Sequence, residues 1–444
     1  MVQEQTHALG RSQEILPLTA SLSEKGHLTL GGCDCVKLAH EFGTPLYVFD
    51  EATLHQQCQQ FLGAFRSRQR QAQVQYAAKA YLGRALAALL AEEGLGLDVV
   101  SGGELAVARS VGFPPERIVF HGNNKSAQEL QEALAYGVGR IAVDNFHELS
   151  LLSDVAAAMG RRQEVLLRLA PGIDPHTHHH TTTGTVDSKF GIAMADGQAE
   201  RAVKQALDLP ALALVGLHVH LGSPIFELEP YRLASSVVVA FAAEMRRRYG
   251  FEMREYSPGG GFAVQYVAEE PASPVAAYAE AIFSSLAEAC QQHSLPLPRV
   301  AVEPGRSIVG RAGVALYSVG SRKEVPGVRT YVAVDGGMAD NIRPAIYSSR
   351  YTAVVASKAA APAEERVTIA GRYCESGDIL ARDVDLPRLE PGDIVALLAS
   401  GAYCLAMASN YNASLRPAIV MVGQGEARLV RRRESYEDLM RCDV

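Results

Sequence analysis

A chain of 444 residues is too long for one hydrophobic core, which stops growing near about 250–300 residues, so two domains are the expectation. Hydrophobic residues at 48% and charged residues at 20% exclude a disordered or fibrous chain, and a net charge of −7 with scattered Lys and Arg makes nucleic acid and membrane poor partners beside a small molecule. Met1 to Ala20 holds Glu4, Arg11 and Glu14 and no apolar run of signal length, no later stretch reaches membrane-spanning length, and seven cysteines are an odd number, so a cytoplasmic protein with reduced thiols is expected.

In chain order, His27 to Leu30 reads as a short strand and Cys35 to Phe42 as a helix. This N-terminal segment, 1–45, is expected to join a β domain formed later in the chain. Cys33 and Cys35 have one residue between them and no second pair nearby, which is not zinc spacing. From Val74 to Val302, apolar strand-like runs alternate with amphipathic helical stretches. The strands lie near Val74–Ala78, Leu97–Val100, Ile118–His121, Ile141–Val143, Val165–Leu169, Leu214–Val219, Arg254–Ser257 and Val300–Val302. Between them, Leu82–Glu93, Gly103–Val111, Ala127–Tyr136, Ala199–Leu207, Tyr231–Tyr249 and Val275–His293 place apolar residues at helical spacing. Strand and helix repeated to a count of eight predict an α/β fold, a (β/α)₈ barrel over 46–311, with an open doubly wound sheet as the alternative. After Ala312 the runs become short and strand-like, at Val328–Val334, Val367–Ala370, Asp393–Leu398, Ala418–Val422 and Ala427–Arg431, so 312–444 is expected to be an all-β domain.

Chemistry-bearing residues gather after four of the barrel strands. Lys79 follows the first, His220 the sixth, Gly259-Gly260-Gly261 the seventh and Glu303-Pro304-Gly305-Arg306 the eighth. In such a barrel the carboxyl ends of the strands form the active-site face, and phosphate is commonly held by the loops after strands seven and eight. Each residue also has an ordinary reading. A lysine at a strand end is usually a solvated charge, three glycines usually allow a tight turn, and Glu303 before proline can be a loop carboxylate. His218 and His220 share a face by alternation unless the turn starts between them, so at most one is expected to touch a ligand. Gathered at one rim, the set reads as a catalytic site. The run Asp174 to Gly184 has four histidines in the five positions 176–180. No carboxylate or cysteine at a fixed offset completes a ligand set there, so an active-site loop is expected and no metal.

Eleven stretches then point to one family in its own order. They are Phe42-Gly-Thr-Pro-Leu-Tyr-Val-Phe-Asp50, Tyr76-Ala-Ala-Lys-Ala80, Asp98-Val-Val-Ser-Gly-Gly-Glu104, His121-Gly-Asn-Asn-Lys125, Ser188-Lys-Phe-Gly191 and His218-Val-His-Leu-Gly-Ser223. Gly259-Gly-Gly-Phe262, Glu303-Pro-Gly-Arg-Ser307, Arg343-Pro-Ala-Ile-Tyr347, Cys374-Glu-Ser-Gly-Asp378 and Gly401-Ala-Tyr403 follow. With these the chain resembles the fold-type III pyridoxal-phosphate (PLP) decarboxylases, nearly end to end, and within them the branch that acts on diaminopimelate.

The resemblance implies a PLP barrel followed by a β domain that takes in the N-terminal strand. It implies that Lys79 carries the cofactor through its amine, that Glu303 pairs with the pyridine nitrogen, and that His220 stacks on the ring. Ser223, Gly259, Gly260, Gly261, Arg306 and Tyr403 would hold phosphate or the adjoining substrate carboxylate, leaving His218 as a core partner. Cys374 would return a proton to the carbon that lost CO₂, reaching the site of the other subunit in a homodimer with shared sites. Arg343, Tyr347 and Glu375, with Arg306 and Tyr403, would bind the substrate's far end. The implied reaction converts meso-2,6-diaminopimelate to L-lysine and CO₂. The competing readings are a decarboxylase of ornithine, lysine or carboxynorspermidine, an alanine racemase, and a catalytically dead homologue. Lys79 and Cys374 speak against the dead homologue, and Cys374 to Asp378 against the racemase. The histidine-rich run and Cys404 depart from the family pattern.

Overall fold

The computed structural model describes residues 14–173 and 189–444, and the histidine-rich run 176–180 lies outside them. The chain divides into two compact units. One comprises Cys58–Ala263 and Ser273–Gly305; the other comprises Met1–Gln57, Val264–Ala272 and Arg306–Val444.

The first unit is a closed (β/α)₈ barrel. Its strands are β1 (Gln73–Ala77), β2 (Gly96–Val99), β3 (Ile118–Phe120), β4 (Arg140–Val143), β5 (Gln163–Ala170), β6 (Leu212–Val219), β7 (Glu255–Gly259) and β8 (Arg299–Val302). Each pairs in parallel with the next, and β8 closes on β1 through Ala301 opposite Gln73. The open doubly wound sheet is thereby excluded. The strands are largely buried, as expected of strands covered on both faces; β3 and β7, for example, are wholly buried. Several helices start with a side-chain cap just past a strand's carboxyl end. Ser101 caps Gly102–Ser110, Asn145 caps Phe146–Ala158, and Ser126 with Glu129 forms a capping box on Ala127–Tyr136. These caps fix where the chain turns on the face that carries the functional residues.

The second unit is built on an antiparallel-rich sheet in the order Ile379–Leu386, Glu365–Ala370, Arg329–Val334, Gly313–Val325, Leu46–Asp50, Ala418–Gly423, Glu426–Arg431. Ile394–Leu397 pairs with Gly313–Val325 and with Ala353–Val355. The N-terminal strand of this sheet is Leu46–Asp50, not His27 to Leu30. Leu28–Leu30 instead forms a separate small sheet with Ser21–Leu22 and Cys33–Asp34. The units divide after Gln57, where the sequence suggests 45, and after Gly305, where it suggests 311, with Val264–Ala272 also in the second unit. The reason is pairing: Leu46 to Phe49 lies in register with Leu316 to Gly313 on one side and with Ala418 to Met421 on the other. A five-residue buried run does not reveal partners so far along the chain. Among the described residues no helix is long and apolar enough to cross a membrane.

Candidate active site

The carboxyl ends of the barrel strands surround a cavity of about 700 Å³, lined among others by Lys79, Asp98, His121, Arg168, Phe190, His218, His220 and Glu303. Three of the expected residues, Lys79, His220 and Glu303, thus meet in one place.

Glu303 is the most constrained of them, at 4% exposure. Its Oε1 accepts from Ser257 Oγ at 2.9 Å and lies 3.4 Å from His121 Nε2; its Oε2 lies 3.0 Å from His218 Nε2. Burial opposes its charge, but His218 and His121 outweigh burial and hold the carboxyl well below its usual range. Burial pushes the His218 imidazole down while Glu303 beside it pulls the other way, and in either protonation state Nε2 can donate to the carboxylate. Both histidines of strand six line the cavity, and of the two it is His218 that hydrogen-bonds Glu303. His121, His218 and Glu303 offer donor atoms within 4.8 Å of one another, a spacing a metal ion could use, although here they engage each other.

Lys79 sits in the turn after β1, its side chain 39% exposed, with Nζ 4.0 Å from Oδ2 of buried Asp98. The lysine is therefore an accessible amine beside a fixed carboxylate. His220 is driven well down, first by burial and then by Lys79 and Arg168, so it presents a neutral ring. Its Nδ1 accepts from Gly260 N at 3.3 Å.

The glycine segment is packed tightly. A Cβ on Gly260 would lie 2.1 Å from Glu303 O, one on Gly261 would lie 2.4 Å from Gly222 O, and Gly261 has φ 97°. Two of its amides are already engaged, Gly259 N with Ser257 Oγ and Gly260 N with His220 Nδ1. The segment's first role is thus to bring β7 against Glu303 and His220. Ser223 lies in the turn beyond His220 and is exposed, ahead of a cis peptide to Pro224.

A second cluster belongs to the other unit. Arg306 Nη1 donates to Tyr266 Oη at 2.7 Å, and its guanidinium lies 4.6 Å from the Tyr403 ring. The Arg343 guanidinium stands 5.5 Å from Tyr266, 5.8 Å from Tyr403 and 5.9 Å from Tyr347. Two buried cations held among tyrosine rings form a seat for anionic groups. Tyr403 adopts φ 61°, a conformation that costs a non-glycine residue about 1–3 kcal/mol. Cys374 and Glu375 lie on an exposed loop anchored by Asp378, which accepts from Met338 N at 2.6 Å and Tyr373 N at 2.8 Å. Cys404 is buried against Tyr351, and burial pushes its thiol up to about 11, so it is a packed thiol rather than a reactive one.

Sequence reasoning gave no role to Asp98, His121, Arg168, Ser257 or Tyr266. All but Tyr266 stand on or directly after barrel strands, so extending the strand-end rule to every strand would have flagged them. Glu104 is pushed up to about 7, chiefly by burial, while its Oε2 accepts from Val100 N at 2.7 Å.

The pyridoxal-binding domain of pyridoxal-dependent decarboxylases matches residues 51–310. A diaminopimelate decarboxylase of Bacillus subtilis is 47% identical over 96% of this chain and 97% of its own, and one of Synechocystis is 45% identical over 97% and 93%. A solved diaminopimelate decarboxylase from M. jannaschii, in co-complex with L-lysine, superposes with TM-score 0.90 at 34% identity, covering 96% of this chain and 98% of its own.

Proposed function

The chain belongs to the pyridoxal-dependent decarboxylase family, and from that premise we infer that it converts meso-2,6-diaminopimelate to L-lysine and CO₂, the last step of lysine synthesis. The observation that carries this reading is the meeting of an accessible lysine, Lys79, with the buried carboxylate of Glu303, held by Ser257 and His218, in one barrel cavity.

The residues present fit PLP. When bound, the cofactor supplies a cationic conjugated ring that takes up the electron pair left when the carboxylate departs as CO₂. Glu303, fixed by Ser257 and His218, would keep the ring nitrogen protonated. Lys79 would hold the cofactor through its amine and yield that place to the substrate's amine. His220, kept neutral, would lie on the ring without adding charge against its nitrogen. Ser223, the Gly259–Gly261 segment, Arg306 and Tyr403 would hold the phosphate or the adjoining substrate carboxylate. Cys374 would donate the proton that replaces the lost carboxylate, and Arg343, Tyr347 and Glu375, with Arg306 and Tyr403, would hold the far end of the substrate.

Purified protein supplied with PLP is expected to release CO₂ from diaminopimelate and to form lysine. Faster release from ornithine or lysine would leave the cofactor chemistry standing and remove the substrate.

The exposed position of Cys374 supports a homodimer with shared sites. Mixing Lys79→Ala and Cys374→Ala proteins is expected to recover up to about a quarter of wild-type activity, since random exchange makes about half the dimers mixed, each with one intact site. No recovery after demonstrated subunit exchange would exclude shared sites.

A further inference from the structure

Behind the cavity wall lies a buried ion pair that the chemistry above does not use. Lys125 Nζ donates to Glu148 Oε1 at 2.6 Å, to Gly122 O at 2.7 Å and to Ala142 O at 2.9 Å, so one ammonium ties the loop after β3 to the end of β4. Glu148 Oε2 accepts from Asp144 N at 2.9 Å. Asp144 Oδ2 accepts from Gly191 N at 3.0 Å, while Oδ1 makes no hydrogen bond and lies 3.7 Å from Arg168 Nη1. The Arg168 guanidinium in turn lies 4.5 Å from the Phe190 ring. Lys125, Glu148 and Asp144 are all at most 6% exposed, and none of them lines the cavity; Gly122, Arg168 and Phe190 do.

A buried pair of this kind is poorly explained by stability, because apolar side chains of similar volume often serve a core as well or better. What it supplies is direction. Beyond the pair itself its bonds end on backbone, at Gly122 O, Ala142 O and Asp144 N, and the Asp144 side chain faces the cavity residue Arg168.

We propose that Lys125, Glu148 and Asp144 are positioning residues of the cofactor cavity: the Lys125–Glu148 pair fixes Asp144, and Asp144 sets Arg168 and the Lys189–Gly191 segment as one wall. This rests on the PLP reading of the cavity, and binding of PLP by wild-type apoprotein in the same titration tests that reading separately.

The test is a Lys125→Met/Glu148→Leu protein, which removes both charges together and so leaves neither stranded. With folding checked by circular dichroism and a cooperative melt, its Kd for PLP is expected to rise about tenfold or more, the scale seen when groups that orient ligand-binding residues are lost. Amide hydrogen exchange at Gly191 is expected to accelerate in the cofactor-free protein. A folded double variant with wild-type Kd and wild-type exchange would overturn the proposal and leave the pair a core element only. Should the double variant fail to fold, Asp144→Asn decides, because it leaves the Lys125–Glu148 pair intact and removes the charge facing Arg168. Its Kd for PLP is expected to rise several-fold, and an unchanged Kd would overturn the proposal equally. Wild-type protein that binds no PLP would sink the cofactor reading instead.

Discussion

Lys79→Ala protein is expected to fold and to lose CO₂ release by about 10³-fold or more, the scale on which removal of a covalent catalytic group acts. The fold should survive because the side chain is 39% exposed and sits in a turn after β1, so truncation opens no core cavity. The local cost falls on Asp98, 2% exposed, whose nearby ammonium at 4.0 Å is removed. Borohydride reduction of the PLP-loaded wild type should fix the pyridoxyl group to the peptide containing Lys79, and the variant should yield no such peptide. A variant that still formed the reducible adduct in wild-type amount would remove Lys79 from this role, whatever its activity.

The barrel was legible in the sequence because its signals are local. Most strands hold a short apolar run, such as Ile118–Phe120, and helices such as Ala127–Tyr136 begin at a capping residue, here Ser126 with Glu129. The β unit was less legible. Gly313–Val325, its longest strand, went unread because only its first half is buried, and a register shift falls between Val319 and Ser321 at Gly320. Ile379–Leu386 carries Arg382, Asp383 and Asp385 in an otherwise apolar strand, which hides its period. The partners of Leu46–Asp50 depend on pairing across most of the chain, which no window of sequence contains. The site divides in the same way. Strand-end position found Lys79, His220 and Glu303, while Cys374, Arg343 and Tyr403 lie outside the barrel and were named only through the family resemblance. Tyr266 carried no signal, since it lies after β7 in a stretch without regular structure; its importance comes from the two guanidiniums that meet it.

Arg343→Ala is expected to leave PLP affinity unchanged and to lower kcat/KM for diaminopimelate by about 10²-fold or more, because a carboxylate bound without its cation costs several kcal/mol. Arg343 is 6% exposed, its Nη2 donates to Ser349 Oγ at 3.1 Å, and its Nε makes no hydrogen bond. Such a guanidinium retains donors for a two-point grip on a carboxylate. Diaminopimelate carries an ammonium and a carboxylate beyond the reacting carbon, whereas lysine and ornithine carry only the ammonium there. Loss of Arg343 should therefore narrow the preference for diaminopimelate over those two amino acids. Arg343→Lys keeps the charge without the fork and should fall between wild type and Arg343→Ala. Near-normal efficiency in the alanine variant, or a wild type that prefers lysine or ornithine, would defeat the diaminopimelate assignment. Either result would leave Lys79 and Glu303, and the decarboxylase chemistry they support, untouched.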